Sequence, residues 1–521
     1  MVMADLIPMQ GQPRRELQRE HHHGYKLEEV VADLVDNSID AKAENVWIIF
    51  AEETFTNKIN DNYIPKESFF LIAVDDGEGI DADGISKVMD FGAVRTYNEL
   101  DLGKFGVGMK SSSLSQAKEI TLLSKTSGGE VQLRRLSSEI VHELDQWVLI
   151  SELEQQMNTD AIQIARDQLR QLDSGTCLVL EDMHKLDNRI GTHANKADYM
   201  NKESVHIRDY LALAFDRYIG GVTLTKNDGT SIERKVNIFL NGSDEINRIP
   251  KLDPFCVRKQ DGSVTGTLKH TFSLEVNRPG VSAKVPVTIW ITPKSEDRAD
   301  YCNFMDDSYD DRMKNAGRDL GISELQGIYI YRNQRLINFA SWHNICKHDP
   351  HYTCDRWELH FPPSLDNIFQ LDPSKRDITI PTELIEALSM IGRRSIRWHS
   401  DDDRASAHRP RAKKRQSGSD APRSRSRPVS PPQSLPNSTP STPTILPTSS
   451  NPQPVPSNSP ADSTTTQTNS NQTSSLRVKK LGALPTGNLV ISERLNGNDW
   501  TVTINSNHPL YDDFVSEIRE L

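Results

Sequence analysis

The sequence predicts an α+β protein: an α/β sandwich domain, a second strand-rich domain, a disordered linker and a small C-terminal hairpin-and-helix module. Three observations predict it. A helix with an apolar stripe is followed by strands and glycine-rich turns up to residue 220. Strand patterns separated by tight turns take over from Gly221, and beyond Ser400 the composition shifts to basic residues and then to Ser, Thr, Pro, Asn and Gln. At 521 residues the chain exceeds one ordinary core, so two or three domains are expected.

The first element is LEEVVADLVDNSIDA, Leu27 to Ala41. Val30, Val31, Leu34 and Val35 form an apolar stripe at helical spacing, while Asp33, Asn37 and Asp40 recur on one adjoining face. A carboxamide one turn from a carboxylate supplies a hard oxygen ligand for magnesium and a base for an attacking water. Taken alone, the same pattern also describes a solvated acidic face.

The second element, AVDDGEGI, follows the apolar run Phe69 to Val74, which reads as a buried strand. Gly77 and Gly79 permit positive φ and close backbone approach to a flat ligand, and Asp75 can accept a hydrogen bond from an exocyclic amine. An ordinary Asp-Gly turn carries the same residues. The third element, GKFGVGMKSSS, places Gly103, Gly106 and Gly108 before Lys110 and a serine run that starts a helix. Backbone amides at such a start bind phosphate. It lacks the Gly-Lys-Ser/Thr ending of a P-loop, and no strand in a compact βαβ unit precedes it.

In this order and spacing the three elements resemble the GHKL ATPases, the group of gyrase B, the heat-shock chaperone ATPase, sensor histidine kinases and MutL. The resemblance implies a Bergerat-type α/β sandwich that binds ATP and magnesium. It aligns Asn37 in DNSIDA with the magnesium-binding asparagine, and Asp75, Gly77 and Gly79 with the adenine-reading Asp-x-Gly-x-Gly. Gly103, Lys104, Phe105, Gly106, Val107 and Gly108 align with the ATP lid, and Thr176 with a threonine near the adenine. The family's general base is usually a glutamate four residues before the asparagine. Here that position is Asp33, one methylene shorter, so slow hydrolysis is expected, with Glu29 one turn earlier as the fallback base.

The remaining chain is read in order. Residues 1–24 form a polar arm with Pro8, Pro13 and the run His21 to His23; in related ATPases such an arm crosses to the partner subunit. Val46 to Ala51 reads as a strand followed by an exposed, looped insert from Glu52 to Lys66, and Phe91 to Leu102 as a lid. Ile120 to Ser124 and Val131 to Leu136 read as strands, and Val205 to Ile219 as the helix closing an ATPase domain over 25–220. Residues 221–399 then carry strands at Val236 to Leu240, Val285 to Ile291 and Ile328 to Tyr331, closed by a helix from Glu383 to Trp398.

That layout resembles the S5-like transducer domain of gyrase B, MutL and Microrchidia proteins, whose loop lysine senses the terminal phosphate. LDPSKRDI places Lys375 at the matching position, beside Arg376. SDEINRIPKLDPF and QGIYIYRNQRLI also resemble the bacterial Microrchidia-like branch. No phospho-acceptor histidine helix precedes the ATPase elements, which argues against a sensor kinase. Residues 400–475 read as a linker, basic from Arg404 to Arg427 and then too poor in apolar residues to fold. Residues 476–521 regain a hairpin pattern and a short helix, expected to dock on this chain or on a partner.

Net charge of −12 argues against wholesale coating of nucleic acid and leaves room for a local basic patch. No apolar run approaches the roughly 20 residues of a membrane span, and a cytoplasmic location is expected. The five cysteines form no disulfide framework. His343, Cys346, His348, His351 and Cys354 crowd one stretch but match no zinc-finger spacing, so a polar loop is the default. Two readings of the whole chain stand. One is an ATP-driven homodimeric clamp, with DNA as cargo through the basic tail. The other is an ATP-gated protein-interaction or chaperone-like switch.

Overall fold

The computed structural model describes residues 12–59, 62–90, 98–103, 108–153, 155–190, 196–226, 228–259, 263, 267–293, 298, 301, 304–305, 307–318, 320–372, 375, 378–390, 476–481, 490–496 and 499–505. The chain divides into two units, 1–415 and 416–521. In the first, α1 (Pro13–His21) lays Leu17 on the core, and α2 (Leu27–Asp40) is sunk almost whole. From Leu27 to Ile39 every residue of α2 is buried except Asn37, which is half-buried. The Glu29 carboxylate closes its first turn by accepting the Lys26 N–H at 2.9 Å.

β1 (Asn45–Ile59) and β2 (Asn62–Asp75) pair antiparallel along their length, with Val46 opposite Asp75 and Ile59 opposite Asn62. The looped insert expected over Glu52 to Lys66 is therefore the outer half of a hairpin. Its Thr, Phe, Tyr and Ile content favours the extended chain, and the ladder satisfies backbone groups that a loop would leave to water. There follow α3 (Ala82–Met89), α4 (Gly108–Leu114), β3 (Glu119–Lys125), β4 (Gln132–Ser137), α5 (Ser138–Leu144), α6 (Asp160–Gln171) and β5 (Gly175–Glu181). Next come α7 (His184–Ile190), α8 (Lys196–Ala214), α9 (Asp216–Gly220), β6 (Val222–Thr225), β7 (Ser231–Arg234) and β8 (Asn237–Leu240). The helix expected across Val205 to Ile219 is broken at Phe215, which leaves the helical region at φ −112°, ψ 22°.

The first sheet runs β4-β3-β5-β2-β1-β8, antiparallel except at β1–β8. Both faces are covered. Phe69, Leu71 and Ala73 of β2 face the core that contains α2, and Phe70, Ile72 and Val74 face α6 with its Ala161, Ile162, Ala165 and Leu169. This two-sided burial explains why Phe69 to Val74 is continuously apolar. β8 had been grouped by sequence with the second region, yet Asn237 to Leu240 pair with Asn45 to Ile48 as the outer strand of the first sheet.

β9 (Thr267–Arg278), β10 (Val281–Ile291), α10 (Tyr309–Ala316), β11 (Gly327–Arg332), β12 (Arg335–Ser341) and β13 (Asp355–Phe361) build the second region. Its sheet runs β12-β11-β13-β10-β9, parallel only at β11–β13. A helix over 382–390, α11, packs Leu384 and Leu388 against it; the rest of the helix expected to Trp398 lies outside the described residues. β11 belongs to both cores, with Ile328 and Ile330 on one side and Tyr329 and Tyr331 on the other. Buried ion pairs fasten the helices between: Arg312 donates to Asp209 at 2.9 Å, joining α10 to α8, and Arg318 meets Glu28 and Glu203. The result is the α+β architecture expected.

In the second unit β14 (Leu476–Leu481), β15 (Val490–Asn496) and β16 (Asp499–Asn505) form a sheet with β16 in the centre, antiparallel to β15 and parallel to β14. The hairpin matches expectation; β14 adds a strand the sequence had not indicated, and the helix expected over Tyr511 to Leu521 lies outside the described residues. No described helix is long and apolar enough to cross a membrane.

The turn after β2 shows why its glycines are needed. A Cβ on Gly77 would lie 2.7 Å from the Ala41 carbonyl oxygen, and one on Gly79 (φ +71°) 1.9 Å from that of Lys125. The close approach is thus to the chain's own backbone rather than to a ligand. Gly79→Ala is expected to lower stability by about 1–3 kcal/mol, seen as a lower urea midpoint. Gly128→Ala, at φ +69° with nothing within 4 Å, should cost less. Equal costs would mean that the Lys125 contact does not matter.

Candidate active site

The polar face of α2 is turned into the protein and meets groups brought from far along the chain. Lys375, in the loop before α11, donates to Asp36 Oδ2 at 2.7 Å and to Asp33 Oδ1 at 3.3 Å. Arg335, at the start of β12, reaches the other oxygen of Asp36 at 3.3 Å. Burial pushes the Asp33 carboxyl up to about 6; Lys375 and Arg335 oppose this, and the neighbouring Asp36 adds to it. Asp36 is buried as deeply, yet Arg335 and Lys375 together hold it below the usual carboxylate range. Asp33 Oδ2 has no hydrogen-bond partner among the described residues. A Cβ on Gly108, the first residue of α4, would lie 3.5 Å from it.

One turn on, Asn37 is half-buried and Ser38 beside it is buried. Ser38 Oγ donates to Asp75 Oδ2 at 3.0 Å, while Asp75 Oδ1 accepts from the Gly77 N–H at 3.0 Å and the Thr176 N–H at 3.3 Å. Asp75 is therefore seated between the end of β2, the following turn and the start of β5, and burial pushes its carboxyl up to about 6. Thr176 Oγ1 lies 3.0 Å from Ser124 Oγ, which also accepts from the Ile80 N–H at 2.8 Å. Asp76, beside Asp75 in sequence, serves structure: it accepts from the backbone of Glu44 and Asn45, each at 2.8 Å.

Asp40 accepts from the Leu102 and Gly103 N–H groups, both at 2.8 Å, and so pins the start of the glycine-rich stretch to the end of α2. Lys104, Phe105, Gly106 and Val107 lie outside the described residues, as do 91–97 of the expected lid and Arg376. Glu29 is engaged in the first turn of its own helix. Among the described residues no group of three or more His, Cys, Asp or Glu side chains is arranged to hold a metal ion. In the His343 to Cys354 stretch, His343 Nε2 lies 3.2 Å from Asn338 Oδ1, and burial pushes the Cys346 thiol up to about 12. An open groove of 620 Å³ lies just beyond α2, lined by Lys42, Glu44, Thr223, Glu233 and Lys235 among others, and contains none of the candidate site residues.

Of the residues singled out by sequence, Asp33 meets Lys375, Asp75 meets Gly77 and Thr176, Gly103 is held by Asp40, and Gly108 lies close to Asp33. Sequence reasoning missed Asp36, Ser38, Ser124, Arg335 and Lys110, whose ammonium caps the end of α3 on the Val88 and Asp90 carbonyls at 3.1 and 2.7 Å. Asp36 and Ser38 stand inside DNSIDA, so the motif itself was the available signal; nothing in the sequence marked Ser124.

A carboxylate with an unmet oxygen, an accessible carboxamide one turn away and a movable ammonium can together receive a magnesium–polyphosphate. A second buried carboxylate, Asp75 at the end of β2, hydrogen-bonded to Ser38 of the same helix, suits a heterocyclic amine. Residues 25–176 match the family of histidine kinase-, DNA gyrase B- and HSP90-like ATPases. Protein MICRORCHIDIA 3 of Arabidopsis thaliana is 30% identical over 101 residues, 19% of this chain and 16% of that protein. ATPase MORC2 of Homo sapiens is 34% identical over 97 residues, 18% of this chain and 8% of that protein, and ATPase MORC2A of Mus musculus matches equally. The match spans less than a fifth of the length of these curated relatives. A solved structure titled as the N-terminal domain of a DNA repair protein aligns over 76% of this chain and 99% of its own, at 16% identity and a TM-score of 0.37. Residues 25–176 thus form a GHKL-type ATPase domain, and just under a fifth of the chain is similar in sequence to Microrchidia proteins.

Proposed function

We propose that the protein is a magnesium-dependent ATPase that dimerises on binding ATP and acts as a cytoplasmic clamp on DNA. The observation that carries this reading is the contact of Lys375 with Asp33, two residues 342 positions apart. It links the second region, read as an S5-like transducer over 221–399, directly to the candidate base in the ATPase domain over 25–220. In this reading Asp75 accepts from the adenine amine, beside Thr176, Gly77 and Gly79. The stretch Gly103, Lys104, Phe105, Gly106, Val107 and Gly108 closes over the phosphates.

Asn37 fits magnesium, because it offers an amide oxygen at a half-buried position of α2, one turn from Asp33, whose Oδ2 has no partner among the described residues. Bound there, the ion would neutralise phosphate charge. A terminal phosphate draws Lys375 from Asp33, and the freed carboxylate takes a proton from water. The water oxygen bonds to the γ-phosphorus as the bond to the bridging oxygen breaks, leaving ADP and phosphate. The C-terminal strands supply a contact for a partner.

The test is the mass in solution with magnesium and a non-hydrolysable ATP analogue. The analogue should convert monomer to dimer, Asp75→Asn should abolish the change, and Asp33→Asn should hold the dimer with ATP itself. Asp33→Asn should also lower turnover roughly 10²–10⁴-fold. A mass that never changes while nucleotide binds would sink the clamp.

DNA as cargo predicts ATP-stimulated, salt-dependent retention on closed circular DNA, lost when the basic stretch Arg404 to Arg427 is neutralised. Absence of retention would favour a protein cargo.

The nucleotide-free protein should also show Asp75 in its pH dependence. Its folded value, about 6, lies above the unfolded 3.8. Between these the folded state holds more protons, so this group's contribution to stability falls as pH rises through the window. Wild type should lose about 2–3 kcal/mol relative to Asp75→Asn between pH 4 and 7, measured by urea unfolding. Parallel curves would show that Asp75 is not held in this environment.

A further inference from the structure

Asp36 has no part in the reaction just described, yet none of its surface is exposed. Its oxygens are divided between two cations from the second region, Lys375 at 2.7 Å and Arg335 at 3.3 Å. Lys375 therefore sits nearer Asp36 than Asp33, where its contact is 3.3 Å. Arg335 is itself fixed: its Nη1 donates to the Leu336 carbonyl at 2.6 Å, and its guanidinium lies 5.2 Å over the Phe215 ring. Two carboxylates and two cations thus balance in a space closed to water.

We propose that Asp36 and Arg335 are positioning residues for ATP hydrolysis: Asp36 holds the Lys375 ammonium beside the phosphate pocket, and Arg335 holds Asp36 in place when that ammonium moves to the terminal phosphate. The inference rests on the ATPase reading, with Lys375 as the moving group. Without Arg335, departure of Lys375 would leave two buried carboxylates three positions apart on one helix and no cation. One of them would take a proton, and a protonated Asp33 is no longer a base. A guanidinium suits the role because it stays charged in any environment and does not follow the lysine.

The groups facing Asp33 are Asp36 on its own helix, Lys375 from the loop before α11, and Arg335 from β12 with Tyr210 of α8 behind it. Asp36 and Arg335 act on Asp33 with opposite sign, which gives the proposal a signature that a merely structural role lacks. Removing the like charge in Asp36→Asn should move the acid limb of kcat/KM to lower pH. Removing the cation in Arg335→Met should move it to higher pH, and Arg335→Lys should return it toward wild type. In both Asp36→Asn and Arg335→Met, kcat should fall roughly ten- to a hundredfold, with much smaller changes in ATP affinity.

If either single variant fails to fold because a buried charge has lost its partner, Asp36→Asn/Arg335→Met removes both charges and takes its place. It should recover the thermal midpoint and keep the depressed kcat. Asp33→Asn runs alongside. If it turns over ATP like wild type, the ATPase reading falls and the inference with it. If it is inactive while the folded Asp36 and Arg335 variants keep wild-type kcat and unshifted acid limbs, the positioning role alone is overturned.

Discussion

The ammonium of Lys375 between two aspartates of α2 is the contact on which the rest of the molecule depends. Asp33, Asp36, Arg335 and Lys375 are all buried. A charged group left there without its partner would cost several kcal/mol, so the four must be brought together whenever the chain folds. That requirement joins residues 339 and 342 positions apart and places a loop of the second region against the longest polar face of the first. It also makes the contact exchangeable, because a terminal phosphate can replace Asp33 as a partner for the same ammonium.

Packing extends the same link. β11 turns Ile328 and Ile330 to one core and Tyr329 and Tyr331 to the other, so a shift of this strand is felt on both sides. At its end Arg332 pairs with Asp366 at 2.7 Å and donates to the carbonyls of Asp101 and Leu102, each at 3.1 Å. Leu102 and Gly103 are in turn held by Asp40. One strand of the second region therefore touches the base of the glycine-rich stretch through Arg332, and β12, next to it, touches Asp36 through Arg335. The phosphate end of the pocket and the second region are joined at two points rather than through the lysine alone.

Much of this was legible in the sequence because the groups assigned to the nucleotide are short-range: Asp33 and Asn37 share a helix, and Asp75, Gly77 and Gly79 share a turn. The strand at Phe69 to Val74 was legible from its unbroken apolar run, which two covered faces require. What stayed hidden is what depends on partners distant in sequence. Asp36 lies one turn from both Asp33 and Asp40, yet only the arrival of Arg335 and Lys375 gives it a purpose. Ser124 sits at the end of a strand and acquires meaning from Thr176 and Ile80. The hairpin over Glu52 to Lys66 was read as a loop because its polar residues mask a strand pattern. The glycines of the turn are also required by the chain's own backbone, because Ala41 and Lys125 occupy the space a side chain would need.

Electrostatics then limits how the pocket can operate. Four aspartates, Asp33, Asp36, Asp40 and Asp75, surround a place meant for a polyanion, an arrangement that would repel it unless their charges were already spent. Asp40 is met by two backbone amides, Asp75 by a hydroxyl and two amides, and Asp36 by Arg335 even without Lys375. Only Asp33 loses its sole described cationic hydrogen-bond partner when Lys375 leaves. In the proposed reading, the carboxylate that acts as base is thus the one whose compensation is removable, while the others keep theirs. Because Asp33 is also a methylene shorter than a glutamate, its unmet oxygen must be brought to the water by the helix itself. The depth at which α2 is buried therefore governs catalysis as much as the identity of the base.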